Sequence, residues 1–186
     1  ERITYREDAE YFYPASAIKL FASLAALQWW SALRRTRPAL SLDTPLRYCT
    51  PRCRGRDRSN RDGGRITLRH ELRKLHLVSS NEAFNRVYDL VGHARLHQQL
   101  LPIFPSLRVH HRLNTFEDSE ACRQSPKIEV LSKQRWTIPA RRSVFPLAAH
   151  SIDREQQIGD AYIDPKGGGR VEAPMDFSEK NGVRFE

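Results

Sequence analysis

The sequence predicts an α+β domain whose helices come first along the chain. A long helix rich in apolar residues is predicted to begin at Ser16, and further helical patterns follow up to residue 101. Beyond residue 105 that pattern weakens, and only short extended segments remain, such as 128–131 and 144–147. With 186 residues, of which 39% are hydrophobic, the chain can bury one sizeable core. We therefore predict a single domain over residues 1–186.

The first helix is predicted from Ser16 to about Arg35. Its apolar residues cover nearly the whole circumference, which is typical of a central helix buried on all sides. Pro38 prevents its continuation. Trp29 and Trp30 are interpreted as core and helix-packing residues.

Three shorter helices are predicted after it. Thr67 can cap a helix that runs to about Leu77, and the next extends over 81–91 and stops at Gly92. A last one covers 93–101. The helix at 81–91 should turn one apolar face inward, formed by Ala83, Phe84, Val87, Leu90 and Val91. Four histidines are interpreted as surface or loop residues: His93, His97, His110 and His111.

The net charge of +9 is concentrated in one arginine-rich segment, Arg47–Arg65. We interpret this segment as a basic surface loop. Such a loop attracts polyanions, for example nucleic acid, lipid headgroups or cell-wall polymers, unless it serves solubility alone. Tyr48 is the only aromatic residue in this segment, so a platform on which nucleobases stack is not expected.

The chain has three cysteines, and an odd number does not indicate a disulfide scaffold. Cys49 and Cys53 could close one small disulfide in an oxidising compartment. A zinc site needs about four ligands, and no second Cys/His pair has finger-like spacing. We predict neither a metal nor an organic cofactor. The longest apolar run, 18–33, is interrupted by Lys19 and other polar residues, so no transmembrane segment is expected.

Chemistry is indicated first by Ser16 and Lys19, which share one helical face at the start of the apolar helix. A serine hydroxyl becomes a nucleophile when a neighbouring base takes its proton. A partly buried lysine near a positive helix N-terminus favours its neutral form and can be that base. Later in the chain, Ser79 can relay a proton to a leaving group, and the Asn81 amide can hold Lys19 and a substrate carbonyl.

Together the two motifs resemble those of the serine β-lactamases and penicillin-binding proteins. The segment Tyr13–Lys19, YPASAIK, matches the first motif residue by residue. Ser79 and Asn81 match the Ser-Asp-Asn motif of class A enzymes, with Ser80 in place of the aspartate. The similarity includes the flanking residues and covers roughly residues 5 to 92, about half of the chain.

The resemblance implies that Ser16 is the nucleophile, Lys19 its proton acceptor and Ser79 the relay, while Asn81 binds substrate. The segment 112–117, RLNTFE, is similar to the class A omega loop, in which a glutamate activates the deacylating water. That glutamate corresponds to Glu117 here. The asparagine that follows it by four residues in the family is Ala121 in this chain.

The implied fold is mainly the helical subdomain of that family with an incomplete antiparallel sheet, and we expect a chain truncated at both ends. The third family motif, Lys-Thr/Ser-Gly, is expected beyond Glu186, although 180–182 has its outline. The implied substrate is a β-lactam, peptide or ester carbonyl, and the implied location is periplasmic or secreted. One alternative is a non-catalytic binding protein on the same scaffold that uses the arginine-rich loop to hold an anionic partner. Another is that this fragment is inert because its active site is incomplete, while the parent protein is an enzyme.

Overall fold

The structure, a computed structural model, describes residues 14–114, 119–145, 157–164, 167–176 and 181. Within these residues the chain is mixed α+β, with five α-helices and small antiparallel sheets. The helices are α1 (Ile18–Thr36), α2 (Leu68–Leu77), α3 (Asn81–Val91), α4 (His93–Leu100) and α5 (Ser119–Cys122), and a 3₁₀ turn over Ala15–Ala17 leads into α1. The predicted α+β class is confirmed.

The helix boundaries follow local signals in the sequence. The Thr67 hydroxyl accepts a hydrogen bond from the backbone N–H of His70, which caps α2 as predicted. Gly92 ends α3 with a φ of 83°, a conformation that suits glycine. The five residues of α3 predicted to face inward are all buried.

The main sheet has five strands in the order β2-β1-β5-β6, with β3 also paired to β1. Its strands are β1 (Pro45–Cys49), β2 (Cys53–Arg54), β3 (Ile66–Thr67), β5 (Lys127–Val130) and β6 (Trp136–Ile138). Three two-stranded ribbons complete the described part: β4 (Gln124–Ser125) with β7 (Arg141–Arg142), β8 (Gln157–Ile158) with β11 (Met175–Asp176), and β9 (Tyr162–Ile163) with β10 (Arg170–Val171).

The predicted basic loop at 47–65 is wrong in its first part, because residues 47–49 belong to β1 and Cys53–Arg54 forms β2. Leu46 and Tyr48 are buried in the core, whereas Arg47 between them lies on the opposite face of the sheet. Cys49 and Cys53 form a disulfide where β1 turns into β2. Only two residues of β1, Leu46 and Tyr48, are buried, so the apolar alternation of this strand is too short to stand out among the arginines.

Helix α1 is also less buried than its sequence predicts. Ile18, Ala25 and Trp30 lie in the core, but Leu20 is 52% and Leu27 is 41% exposed. The packing partners α3 and α4 cover one side of α1 and leave this leucine stripe uncovered by the described residues. No helix in the described part of the chain combines the length and apolar character that a membrane span requires.

Two histidines predicted at the surface are instead core residues, with His93 2% and His97 0% exposed. The Val109 N–H donates to Nε2 of His97 at 3.0 Å, so the ring hydrogen sits on Nδ1 and is donated to the His93 carbonyl at 2.8 Å. Nδ1 of His93 lies 2.8 Å from the Ser143 hydroxyl. Val109 and Ser143 lie outside α4, which is why helical periodicity alone misplaces both rings.

Acid should destabilise the fold through these rings. Burial lowers the pKa of His97 to about 3 and the pKa of His93 to about 4. The unfolded chain therefore binds more protons below the ordinary histidine pKa of about 6.5, and stability is lost as pH falls from there. We expect His97 to contribute on the order of 3 kcal/mol of this loss between pH 7 and pH 4.

Urea unfolding at several pH values measures this loss. The matched variant is His97→Gln, whose amide oxygen can accept the Val109 N–H but does not titrate. It should be less stable than the wild type at pH 7, yet lose less stability on acidification. An equal acid loss in both proteins would contradict the assignment.

Candidate active site

The structure brings Ser16 and Lys19 together as their spacing predicts. Ser16 lies in the 3₁₀ turn and is exposed, whereas Lys19 lies in the first turn of α1 and is only 3% exposed. The amine of Lys19 is 3.1 Å from the hydroxyl oxygen of Ser16. The turn is closed by a hydrogen bond from the Ala17 N–H to the Pro14 carbonyl at 2.7 Å. The exposed hydroxyl of Ser16 thus has a buried amine within hydrogen-bond distance.

Ser79 supplies the remaining contacts of the Lys19 amine. Nζ lies 2.8 Å from the Ser79 hydroxyl oxygen and 2.5 Å from the Ser79 carbonyl oxygen. Ser79 follows α2 and precedes α3, so the junction between these helices delivers it to the start of α1. The amine therefore joins two hydroxyl groups that are 63 residues apart in sequence. We refer to this arrangement as the Ser16–Lys19–Ser79 cluster.

The surroundings of Lys19 favour the neutral amine. Burial lowers its pKa below the ordinary lysine value. Among the described residues, no carboxylate lies within 4.0 Å of Nζ to hold it charged. The Ser79 carbonyl can only accept, so it takes one N–H of the amine. A neutral amine can donate its second N–H to the Ser79 hydroxyl and turn its lone pair toward Ser16.

Strained backbone lies on both sides of this amine. Ala15, directly before the serine, has a φ of 44°, and Ser79 has a φ of 53°. A residue with a Cβ in this left-handed region costs on the order of 1 kcal/mol. Of the described non-glycine residues, Asn114 alone joins them at positive φ, and asparagine tolerates that region. Backbone strain at Ser79 and at Ala15, next to Ser16, is typical of a functional site.

The two residues after Ser79 have separate positions. The Ser80 hydroxyl accepts the Ala83 N–H at 3.2 Å and caps α3. Ser80 is therefore a helix cap. Asn81 is exposed in the first turn of α3 and is not among the hydrogen-bond partners of Lys19 within the described residues. The contact of its amide with Lys19 that the sequence suggested is thus wrong, and both oxygens of Ser79 take that place.

A second tie between α1 and the α2–α3 junction was not predicted from the sequence. Ser23 donates its hydroxyl hydrogen to the Lys19 carbonyl at 2.9 Å, and His76 Nε2 lies 2.9 Å from the same hydroxyl. Since that hydrogen is used, His76 must donate from Nε2. His76 is in the last turn of α2, so this bond holds the end of α2 against α1. In the sequence, the only sign of this contact is a polar residue, Ser23, one helical turn after Lys19 in an apolar helix.

Glu117 lies outside the described residues, but the start of its motif does not. Arg112 donates from Nη2 to the Asp89 carboxylate at 2.6 Å. The Asn85 side chain pairs with Leu113, donating to its carbonyl at 2.9 Å and accepting its N–H at 2.8 Å. Both anchors lie on α3, which begins two residues after Ser79. Residues 112–113 are therefore fixed to the helix next to the cluster.

Of residues 180–182, which have the outline of the third motif, the structure describes only Asn181. Asn181 is 1% exposed, and its amide pairs with the backbone of His111 at 3.0 and 3.1 Å. Lys180 and Gly182 lie outside the described residues. Asn181 thus contacts the segment that leads into Arg112, and this contact is one that the sequence did not suggest.

An ion cluster connects the arginine-rich segment to the helices. Asp57 accepts from Lys74 at 2.7 Å and from Arg86 at 2.9 Å. Burial opposes ionisation of Asp57, but the hydrogen bonds from Lys74 and Ser59 hold the pKa of its carboxyl well below the usual range. The ligand atoms of Asp57, His70 and Glu71 lie within 4.8 Å of one another, a grouping that could hold a metal. Here the two cations supply the positive charge between α2 and α3.

The chain was compared with family models, curated proteins and solved structures, and none of the three comparisons gave a significant match. The resemblance to β-lactamases and penicillin-binding proteins therefore stays a prediction that rests on the motifs of this sequence.

Two substitutions of Ser79 distinguish the effect of its strained backbone from the effect of its hydroxyl group. Ser79→Ala and Ser79→Gly both remove the oxygen that contacts Lys19, but only glycine relieves the positive φ. We expect Ser79→Gly to be more stable than Ser79→Ala by about 1 kcal/mol in chemical unfolding. Both variants should show an equally reduced rate of covalent labelling at Ser16.

Ser31→Gly and Ser31→Ala are the matched pair at an exposed helical position outside the cluster, where glycine should be the less stable of the two. Equal stability of the two Ser79 variants would show that this backbone is not strained. Unchanged labelling would show that the Ser79 hydroxyl has no part in acylation.

Proposed function

We propose that this chain is a serine hydrolase of the β-lactamase-related kind that acts through an acyl-enzyme at Ser16. The observation that carries the proposal is the position of the Lys19 amine, 3.1 Å from the Ser16 hydroxyl and 2.8 Å from the Ser79 hydroxyl. The proposed fold is β-lactamase/transpeptidase-like, with this chain carrying mainly the helical subdomain. The mixed α+β architecture supports this finer assignment.

Acylation can be derived from the three side chains. The neutral Lys19 amine takes the Ser16 hydroxyl proton as the serine oxygen attacks the carbonyl carbon of a β-lactam, peptide or ester. Backbone N–H groups, including that of Ser16, stabilise the oxyanion. As the bond to the leaving group breaks, the Ser79 hydroxyl gives its proton to the leaving nitrogen or oxygen and takes one from Lys19. The amine is then neutral again, and the acyl group remains on Ser16.

Two further residues complete the proposed cycle. Asn81, exposed in the first turn of α3, would contact the amide of the substrate. Glu117 would activate the water that hydrolyses the ester bond to Ser16. None of these steps requires a metal or an organic cofactor. The Cys49–Cys53 disulfide supports a periplasmic or secreted location, because such bonds persist in oxidising compartments.

A fluorescent penicillin and a fluorophosphonate, followed by mass spectrometry of the digested protein, test the acylation step. We expect a covalent adduct on Ser16 and none in Ser16→Ala. Ser31→Ala, at an exposed serine on α1, is the matched control and should label like the wild type. A folded wild-type protein without a Ser16 adduct, or an adduct at another serine, would overturn the proposal.

The pH dependence of the same labelling tests the role of Lys19. Only the neutral amine can take the Ser16 proton, so the rate should rise with pH and level off above the pKa of Lys19. Burial lowers this pKa, so the plateau should begin below the ordinary lysine value. Lys19→Gln, which keeps hydrogen bonding but cannot act as this base, should label slowly and lose the pH dependence.

The fate of the acyl group is tested with nitrocefin. If Glu117 activates the deacylating water, Glu117→Gln should still form the Ser16 adduct but release it much more slowly, by about a hundredfold or more. Glu120→Gln, at an exposed carboxylate that bonds Arg142, is the matched control. Equal turnover in Glu117→Gln and the wild type would exclude this role. A stable adduct without turnover in the wild type would favour an acyl-transferring enzyme over a β-lactamase.

A non-catalytic binding protein on the same scaffold is the second candidate. It is favoured by the exposed arginines around β2 that have no carboxylate partner among the described residues. The adduct experiments distinguish such a protein from a hydrolase. An anionic partner at that surface is compatible with either function.

A further inference from the structure

The arginine-rich segment forms one side of an open groove on the outer face of the main sheet. The cavity measures about 910 Å³ and runs from β2 across the start of β1 to the turn between β5 and β6. Leu46 and Tyr48 of β1 face the core, and Arg47 between them faces the groove. Six basic side chains line this cationic groove: Arg47, Arg54, Arg56, Arg65, Lys133 and Arg135.

Most of this positive charge is not compensated. Arg47 pairs with Glu129 across the β1–β5 ladder at 3.2 Å. The other five basic side chains are exposed, and none has a carboxylate within 4.0 Å among the described residues. They come from separate segments that the sheet brings together. Like charges gathered around one concavity attract anions strongly.

The backbone holds two of these arginines side by side, although their positive charges repel each other. Arg56 and Arg65 form an isolated antiparallel bridge, so their side chains are cross-strand neighbours. Like charges in such positions repel, and a bound anion would remove that repulsion. On the groove wall, a Cβ on Gly55 would lie 2.5 Å from Cγ of Arg47. Glycine therefore lets the Arg47 chain lie directly against the backbone.

The lining indicates the chemistry of the ligand. Guanidinium groups bind phosphate oxygens through paired hydrogen bonds, and five of the six basic residues are arginines. The described part of the chain places no aromatic side chain in the groove lining, so it offers no face there on which nucleobases could stack. Several basic groups along one open channel fit a chain of phosphates better than a single anion. We propose that the cationic groove binds a linear polyphosphate chain along its length.

Inorganic polyphosphate is the probe, and binding is measured by calorimetry over a series of salt concentrations. The triple variant Arg54→Gln/Arg56→Gln/Arg135→Gln removes three groove charges. Arg34→Gln/Arg58→Gln/Arg61→Gln removes three exposed charges outside the groove. Both variants have the same net charge, so they separate a built site from general attraction. Urea unfolding of both variants and of the wild type monitors folding.

We expect the groove variant to bind at least about tenfold more weakly, and its logarithmic salt dependence to fall by about 2. The control variant should stay within about twofold of the wild type. Equal weakening in both variants, or no saturable binding by the wild type, would overturn the proposal. Tighter, groove-dependent binding of a single-stranded oligonucleotide of equal charge would overturn the assignment to polyphosphate. None of these outcomes depends on whether Ser16 is acylated.

Discussion

The buried amine of Lys19 is the constraint on which the arrangement of the helices depends. An amine removed from water loses strong hydrogen bonds, and no described carboxylate replaces them with an ion pair. The oxygens of Ser16 and Ser79 satisfy it instead. Ser79 can reach the amine only if the α2–α3 junction lies against the first turn of α1, so one polar contact fixes the relation of three helices.

The surrounding packing and polar contacts all hold that junction in place. Phe84 and Trp30 fill the core in which α1 and α3 meet, while Ser80 fixes where α3 begins and His76 bonds Ser23. Asp57 bridges α2 and α3 from the other side through Lys74 and Arg86. The positive φ of Ser79 is tolerated because these contacts leave its backbone little freedom. A shorter junction without that residue would withdraw both oxygens from the amine.

Features governed by neighbouring residues were predictable from the sequence, and those governed by distant partners were not. The cap at Thr67 and the stop at Gly92 are local signals, and the Ser16–Lys19 contact arises from helical spacing. The burial of His97 depends on Val109, and β1 depends on pairing with β5, neither of which periodicity reveals. The sequence indicates Ser79 only as a proton relay; its contact with Lys19 joins segments about 60 residues apart, which spacing alone does not predict.

The three side chains to which the proposal assigns acylation all lie among the described residues, whereas Glu117, proposed for the later hydrolysis, does not. In the proposed mechanism Ser16 is the nucleophile, Lys19 the base and Ser79 the donor for the leaving group, and both serine hydroxyls lie within 3.1 Å of the Lys19 amine. Hydrolysis of the ester at Ser16 needs a base that takes a proton from the attacking water. Lys19 would have to serve twice, or a carboxylate such as Glu117 must be present. If Glu117 has the proposed role, the anchoring of residues 112–113 to α3 would connect its segment to the helix that follows Ser79.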